Sequence, residues 1–331
     1  MAMKMLTMSR NSGFENECKE IHDSWGRLSQ LVRALVTRTR LERQQIRETY
    51  KALYGEDLVN RLQKEAEMSS SNNRNEAFVV SPKLCAALSM FMLEPHERDA
   101  VVAREALQQS DQTNYKALVE IFVGRKSSQI FVTKQAYQTR YRRKLDQDIA
   151  NIEPPNSYQK ILIALVASHK AHHADVSHHI AKSDAKRLYE TGEGSYISGV
   201  IEEAVVLEIL SKRSIPQMKL TISSYKHIYG HDYTKSLKKG NSGEFENALK
   251  RLVKCIHNPP NYYAKTLHGS MKGTTTDKGG LLRLLVSRAE VEMDEIRKAY
   301  KNKYGIELRD AICESIPSGD YRDFLVALAT K

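Results

Sequence analysis

One pattern occurs four times in this chain: an apolar run closed by arginine, a polar turn, then a segment ending in tyrosines and often in Tyr-Gly-acid. The runs are LVRALVTR (31–38), LVEIFVGR (118–125), VLEILSKR (206–213) and LLRLLVSR (281–288). Their closing arginines, Arg38, Arg125, Arg213 and Arg288, stand 87, 88 and 75 residues apart, and Tyr50, Tyr137, Tyr225 and Tyr300 repeat the same three intervals. Two landmarks kept in register three times over require one supersecondary unit used four times. Function is then to be sought where the copies differ.

The unit reads as helical. In LLRLLVSRAEVEMDEIRKAYKNKY the apolar residues Leu281, Leu284, Leu285, Ile296 and Tyr300 recur at three- and four-residue steps, and no strand alternation persists. Each copy has a preceding helix, such as 97–109 or 261–271, and a following apolar one at 83–93, 158–167, 245–256 or 320–329. With a helix over the acid-rich turn this predicts an all-α chain of four repeats of about five helices. No repeat alone buries its apolar faces, so the four pack on one another. The polar stretch MSSSNNRNE (68–76) reads as a lengthened surface loop, and SHKAHHADVSHHIAKSD (168–184) as a connector between halves.

Bulk properties narrow the partners. A mean hydropathy of −0.52 fits a soluble protein, and a net charge of +11 favours anionic partners such as acidic headgroups or RNA, unless the charge is a solvated surface. The N-terminus has no secretory core, and the longest apolar stretch, 78–93, is broken by Ser81, Pro82 and Lys83, too short to span a bilayer. Cys18, Cys85, Cys255 and Cys313 show no CxxC spacing and read as reduced thiols.

The fourth copy carries MKGTTTD (271–277) ahead of LLRLLVSRAEVEMDEIRKAY; the second opens EPHERDAVVAREAL (94–107); the first contains RETYKALYGEDLVNRLQKE (47–65); the chain closes on SGDYRDFL (318–325). Together these resemble the annexin family, in particular its plant type, over residues 15–331. The resemblance implies four repeats packed into a curved disc. It places a short tail at 1–14, repeats at 15–93, 94–168, 181–257 and 258–331, and a His-rich linker at 169–180. It also implies a cytoplasmic, peripherally attached protein that binds acidic phospholipid with calcium through the loops between the first two helices of each repeat.

Calcium is a hard cation that takes six to eight oxygens. The family's loop offers backbone carbonyls, and a carboxylate about 40 residues later closes the site. In the fourth copy the matching carbonyls are those of Met271, Gly273 and Thr275, with Glu314, or Ser315 in the alternative register, at the closing position. Thr275 stands where the family has a second glycine, so the loop either holds calcium or has kept its shape and lost the ion. Lys272 lies where it would meet lipid, and Asp277 where it would cap or charge the next helix. In the first copy HDSWGR (22–27) is the loop: Gly26 is kept, Glu65 is the closing carboxylate, and Arg27 beside a cation site weakens it. Arg27 could instead meet a lipid phosphate. Trp25 either sits at the headgroup boundary or packs against its own repeat. The second and third copies, at 108–118 and 191–205, lack the glycine order and receive no calcium.

Other constellations read as structure. His169, His172, His173, His178 and His179 have helical metal spacing but no cysteine or carboxylate partners, so a solvated linker is preferred. The arginine ending each second helix reads as a cap or an inter-repeat ion pair. The chain contains no Walker loop, Rossmann glycine pattern or nucleophile elbow, and Thr37 stands where a suggested peroxidase histidine of plant relatives would fall. The expected function is a non-enzymatic membrane-binding protein with weak or partial calcium dependence. The alternative is a basic scaffold or RNA-binding protein on the same fold.

Overall fold

The computed structural model describes residues 14–25, 28–71, 81–108, 113–168, 176–192, 194, 202–237, 243–273 and 279–331. Its helices fall into four sets of five. The first set is α1 (14–23), α2 (Leu28–Val36), α3 (Arg40–Tyr54), α4 (Leu58–Ser71) and α5 (Pro82–Met92). The second is α6 (Pro95–Gln108), α7 (Tyr115–Val123), α8 (Ser127–Tyr141), α9 (Leu145–Ala150) and α10 (Ser157–Ser168). The third is α11 (His178–Glu190), α12 (Glu203–Lys212), α13 (Ile215–Tyr229), α14 (Tyr233–Ser236) and α15 (Glu244–His257). The fourth is α16 (Pro259–Met271), α17 (Gly280–Arg288), α18 (Met293–Tyr304), α19 (Leu308–Ser315) and α20 (Asp320–Thr330).

Local chemistry sets the helix ends. Thr39 and Glu42 form a reciprocal capping box that starts α3, and Ser214 caps α13, with Pro216 in the first turn. The glycine of each Tyr-Gly-acid motif, Gly55, Gly230 and Gly305, closes the third helix in the left-handed conformation at φ 69°, 75° and 73°. Only glycine adopts that conformation without a Cβ penalty. The second repeat has Arg142 there, at φ 55°. At α4 the helix runs on to Ser71, so residues 68–71 of the polar stretch are helical. Nothing between Leu58 and Ser71 is a glycine or proline, and serine is only a mild helix breaker. The N-cap residue of α17 is Gly279, not Asp277, which lies outside the described residues.

The helices divide into two compact units. One holds the described residues up to Arg98 together with Ala264–Lys331; the other is Asp99–Tyr263. The first unit is built from the first and fourth sets, the second from the second and third. Each packs by the same rule, the fifth helix of one set against the second helix of the other. In the first unit α2 meets α20, α17 meets α5, and the two fifth helices α5 and α20 meet; in the second, α10 meets α12, α7 meets α15, and α10 meets α15. Phe91 and Phe324, both fully buried, cross edge-on at 5.7 Å where α5 meets α20. Each such side chain contributes on the order of 1.5–3 kcal/mol of burial. This pairing explains why single sets show no self-sufficient apolar face.

The arginine closing each second helix is paired within its own set, where the sequence left open an inter-repeat pair. Arg38 reaches Glu17 at 3.0 Å, Arg125 grips Asp99 at 2.6 and 3.1 Å, and Arg213 grips Asp184 at 2.6 and 3.0 Å. These acids lie on the first helix of each set, 82 and 85 residues apart. The next register position is Tyr263, and Arg288 accordingly turns to Glu292 at 3.0 Å. The tie between repeats in the first unit is Arg43. Its buried guanidinium donates twice to Glu290, at 2.8 and 3.1 Å, donates to the Arg38 carbonyl at 2.8 Å, and lies 3.9 Å over the Phe91 ring. Lys331 Nζ adds donors to the same two acceptors.

Arg43 and Lys331 hold the Glu290 carboxyl down to about 2 against burial, which acts the other way. Glu290→Ala leaves Arg43 enclosed without its counter-charge and costs about 3 kcal/mol in urea unfolding at neutral pH. A carboxylate with a depressed native pKa contributes in full above its ordinary range and loses that contribution as it protonates. The gap between wild type and variant therefore narrows below about pH 4 and closes toward pH 2.

Candidate functional site

The third helix of every repeat carries two tyrosines four residues apart: Tyr50/Tyr54, Tyr137/Tyr141, Tyr225/Tyr229 and Tyr300/Tyr304, with ring centroids 4.7–5.1 Å apart. The first of each pair is fully buried. The second forms a shelf for one residue near the end of the first helix. His22 stacks on Tyr54 at 3.9 Å and 4°, Tyr189 on Tyr229 at 4.0 Å and 9°, and His268 on Tyr304 at 3.8 Å and 6°. In the second repeat Arg104 takes this place, its guanidinium 5.6 Å over Tyr141. This shelf anchors the last turns of the first helix to the third helix in each repeat. The sequence reading missed it, although His22, Arg104, Tyr189 and His268 each lie five residues beyond the position of the arginine-pairing acid.

The buried hydroxyls are met by different partners. Tyr50 accepts from Arg61 and has His22 Nδ1 at 3.0 Å; Tyr137 donates to Asp148 at 2.6 Å; Tyr225 pairs with Ser236 at 2.8 Å; Tyr300 has His268 Nδ1 at 3.0 Å. Arg61, Asp148 and Ser236 stand eleven residues after their tyrosine; Ala311 holds that position in the fourth repeat. Burial, then Tyr304 and Glu314, push the Tyr300 phenol up to about 12. Burial and Lys272 hold His268 below the ordinary imidazole range, so it is neutral near pH 7.

At the first repeat's loop, Trp25 is half-buried and held on both sides. Its indole Nε1 donates to Glu65 Oε1 at 3.3 Å, and Arg61 lies 3.9 Å over its ring. Arg61 and Glu65 are four apart on α4, so they share a face. The closing carboxylate expected from sequence is therefore engaged by an indole N–H and neighboured by a guanidinium. A divalent cation there would meet a fixed positive charge at close range. Among the described donors of the first repeat, Glu65 is the one already engaged, by the Trp25 indole. Gly26 and Arg27 lie outside the described residues.

The fourth repeat differs. At the end of α16 Lys272 N donates to the His268 carbonyl at 3.0 Å, and the negative end of the helix dipole lies toward the loop, which favours a cation. Gly273 follows at φ 65°, with open space where a Cβ would be, so the backbone can turn its carbonyls to one side. Lys272 is exposed beside it. Glu314 is exposed on α19, and its charge is felt at Tyr300, whose hydroxyl meets His268 one turn before Met271. The Glu314 charge acting on Tyr300 and the contact of Tyr300 with His268 are what relate this carboxylate to the last turns of α16. Counted from the tyrosine, Ser315 matches Glu65, and Glu314 stands one residue, about 100° of helix, away. These residues fit an oxygen-ligated cation with lipid or water completing the shell; Thr275 lies outside the described residues.

The middle repeats have other loops. In the second, the Asn114 side chain caps α7, and Ile152, an apolar residue, stands at the register of Glu65. In the third, Gly194 lies so close to Tyr189 that a Cβ would fall 2.5 Å from its ring, and Glu202 N donates to Thr191 O at 3.0 Å across the loop base. His178 and His179 open α11, while His169, His172 and His173 lie outside the described residues. Among the described residues no three His, Cys, Asp or Glu side chains gather as metal ligands, and no helix is long and apolar enough to cross a membrane.

Comparison with known proteins supplies the family. The annexin family model matches four segments, 19–69, 98–165, 184–252 and 262–328. The chain is 33% identical to human annexin A13 over 90% of its own length and 88% of that protein's. It is 32% identical to annexin D2 of Arabidopsis thaliana, covering 95% and 94%. The structure of annexin III superposes with a TM-score of 0.81 at 31% identity, covering 96% and 94%. A calcium-bound annexin (Sm)1, at 24% identity and a TM-score of 0.75, shares the fold over 97% and 91%. Four tyrosine-shelved repeats, each matched by the family model, place this chain in the annexin family, whose members are calcium-dependent phospholipid-binding proteins that attach peripherally to membranes.

Proposed function

We propose that this protein attaches to acidic phospholipid with calcium engaged at the fourth repeat alone, and that the first repeat contributes a calcium-free contact through Trp25 and its neighbouring basic residues, Arg27 included. The observation that carries this reading is the contrast between two carboxylates. Glu65 is bound by the Trp25 indole under Arg61, whereas Glu314 is exposed and its charge acts on Tyr300, the partner of His268 on the helix that leads into Met271 and Gly273. Basic residues near an anionic surface contribute about 1 kcal/mol each, so attachment keeps a salt-sensitive part when calcium is withdrawn. The protein acts as a binding protein rather than an enzyme, on the cytoplasmic side of membranes. Its plant-type character rests on the opening of the second repeat, EPHERDAVVAREAL.

Co-sedimentation with phosphatidylserine vesicles separates the two contributions. In low salt the wild type retains a fraction on vesicles in chelator, and calcium adds a second fraction that resists salt. Glu314→Gln removes the calcium increment, whereas Glu65→Gln leaves it in place. Binding that disappears entirely in chelator would overturn the two-part reading, and binding to an RNA oligonucleotide tighter than to vesicles would favour a scaffold role.

Trp25 is the sole tryptophan, so its emission reports on the first repeat alone. Calcium without vesicles leaves the emission unchanged, because Arg61 and Glu65 already hold the ring. Vesicles shift it to the blue even in chelator.

A further inference from the structure

The four copies provide an internal control for the turn between the third and fourth helices. In the first, third and fourth repeats the six residues starting two after the buried tyrosine are ALYGED (52–57), HIYGHD (227–232) and NKYGIE (302–307). They carry two acids, one acid, and one base with one acid. The second repeat has TRYRRK (139–144), four bases and no acid, and Arg140, Arg142, Arg143 and Lys144 are all exposed. Arg142 occupies the left-handed position that the sister repeats give to glycine. A side chain with a Cβ is disfavoured there, so folding alone does not account for arginine at this site.

The same helix departs from its sisters at its other end. Phe131 and Val132, six and five residues before the tyrosine, are 60% and 38% exposed. Their counterparts are Gln44 and Gln45, Lys219 and Leu220, and Asp294 and Glu295. Residues 131, 135, 138 and 142 follow helical spacing and are all exposed, so one side of α8 runs from an apolar pair to a basic turn. The nearby acids are fewer than the four bases of the turn: Glu105 is exposed and acts on Tyr141. Asp148 is buried and shared by Tyr137, Arg104 and Arg143, and Asp146 pairs with Lys134. The pair between Arg143 and Asp148 anchors the turn, and among the described residues Arg142 and Lys144 have no side-chain partner.

We infer that the outer side of α8 is a second, calcium-independent contact for an anionic bilayer, separate from the loops that follow each first helix. The apolar pair would enter the headgroup boundary and the basic turn would meet lipid phosphates and carboxylates. A single convex helix side with exposed phenylalanine and clustered arginine suits a lipid surface, which needs no shaped groove. The inference does not depend on the fourth-repeat loop, and the two fail separately.

The test uses the full chain with phosphatidylserine–phosphatidylcholine vesicles in chelator, at low and raised salt, with phosphatidylcholine vesicles and a single-stranded RNA oligonucleotide as parallel arms. Arg142→Gly with Lys144→Ser is expected to lower the low-salt partition onto the anionic vesicles roughly 25-fold, about five-fold per charge. The melting temperature should stay level or rise, since glycine is what the sister repeats place there. Phe131→Ser with Val132→Ser should weaken binding several-fold at both salts. The increment added by calcium persists in both variants, whereas Glu314→Gln removes that increment and leaves chelator-state binding intact. Chelator-state binding equal to wild type in both variants overturns the inference. So does a loss confined to the RNA arm, which would make the surface a nucleic-acid contact.

Discussion

The tyrosine buried in each third helix is the contact around which a repeat is assembled. Its ring fills the space between the first and fourth helices, and its hydroxyl is satisfied at the end of the first helix or by the fourth. The second tyrosine, one turn on, receives the stacked His22, Arg104, Tyr189 or His268. A buried phenol demands a partner, and a flat ring demands a flat or cationic neighbour. These two demands anchor the end of each first helix without specifying the loop that follows.

That separation lets the loops diverge on an unchanged frame. The partner of the buried hydroxyl is Arg61 in one repeat, Asp148 in another and Ser236 in a third, so the charge beneath each loop changes sign or vanishes while the helices stay put. In the first repeat the arginine places a positive charge where a calcium loop needs a negative one, and the indole of Trp25 settles between Arg61 and Glu65. In the fourth, a neutral His268 and the small Ala311 add no charge of their own, and the field there comes from Lys272 and the Glu314 carboxylate. Tuning a loop by the charge under it costs the fold little, because the tyrosine only needs some polar partner.

Periodicity captures the frame. The fourfold interval of Arg38, Arg125, Arg213 and Arg288 was enough to give the repeat count, the helical class and the five-helix plan. It did not reveal that the arginines pair inside their own repeats with Glu17, Asp99 and Asp184, since those acids lie 21 to 29 residues away along a different helix. Glu65 was legible as a carboxylate at the right distance along the chain. Its engagement was not, because the indole that binds it comes from the end of another helix, and the guanidinium that covers that indole comes from a neighbouring turn of α4. The stack residue was available in the sequence, but only to a comparison of the first helices, whose loop lengths differ.

What the sequence by itself determined is the architecture: helical periodicity and the intervals between copies are local properties of the chain, and they dictate four equivalent units. Only the tertiary structure decided how those units pair, first with fourth and second with third, through the fifth helix of one set and the second helix of the other. It alone decided which carboxylates remain available to a cation. Both outcomes depend on which side chains meet across helices that are far apart in sequence. That is a matter of packing and charge in three dimensions, which no spacing along the chain encodes.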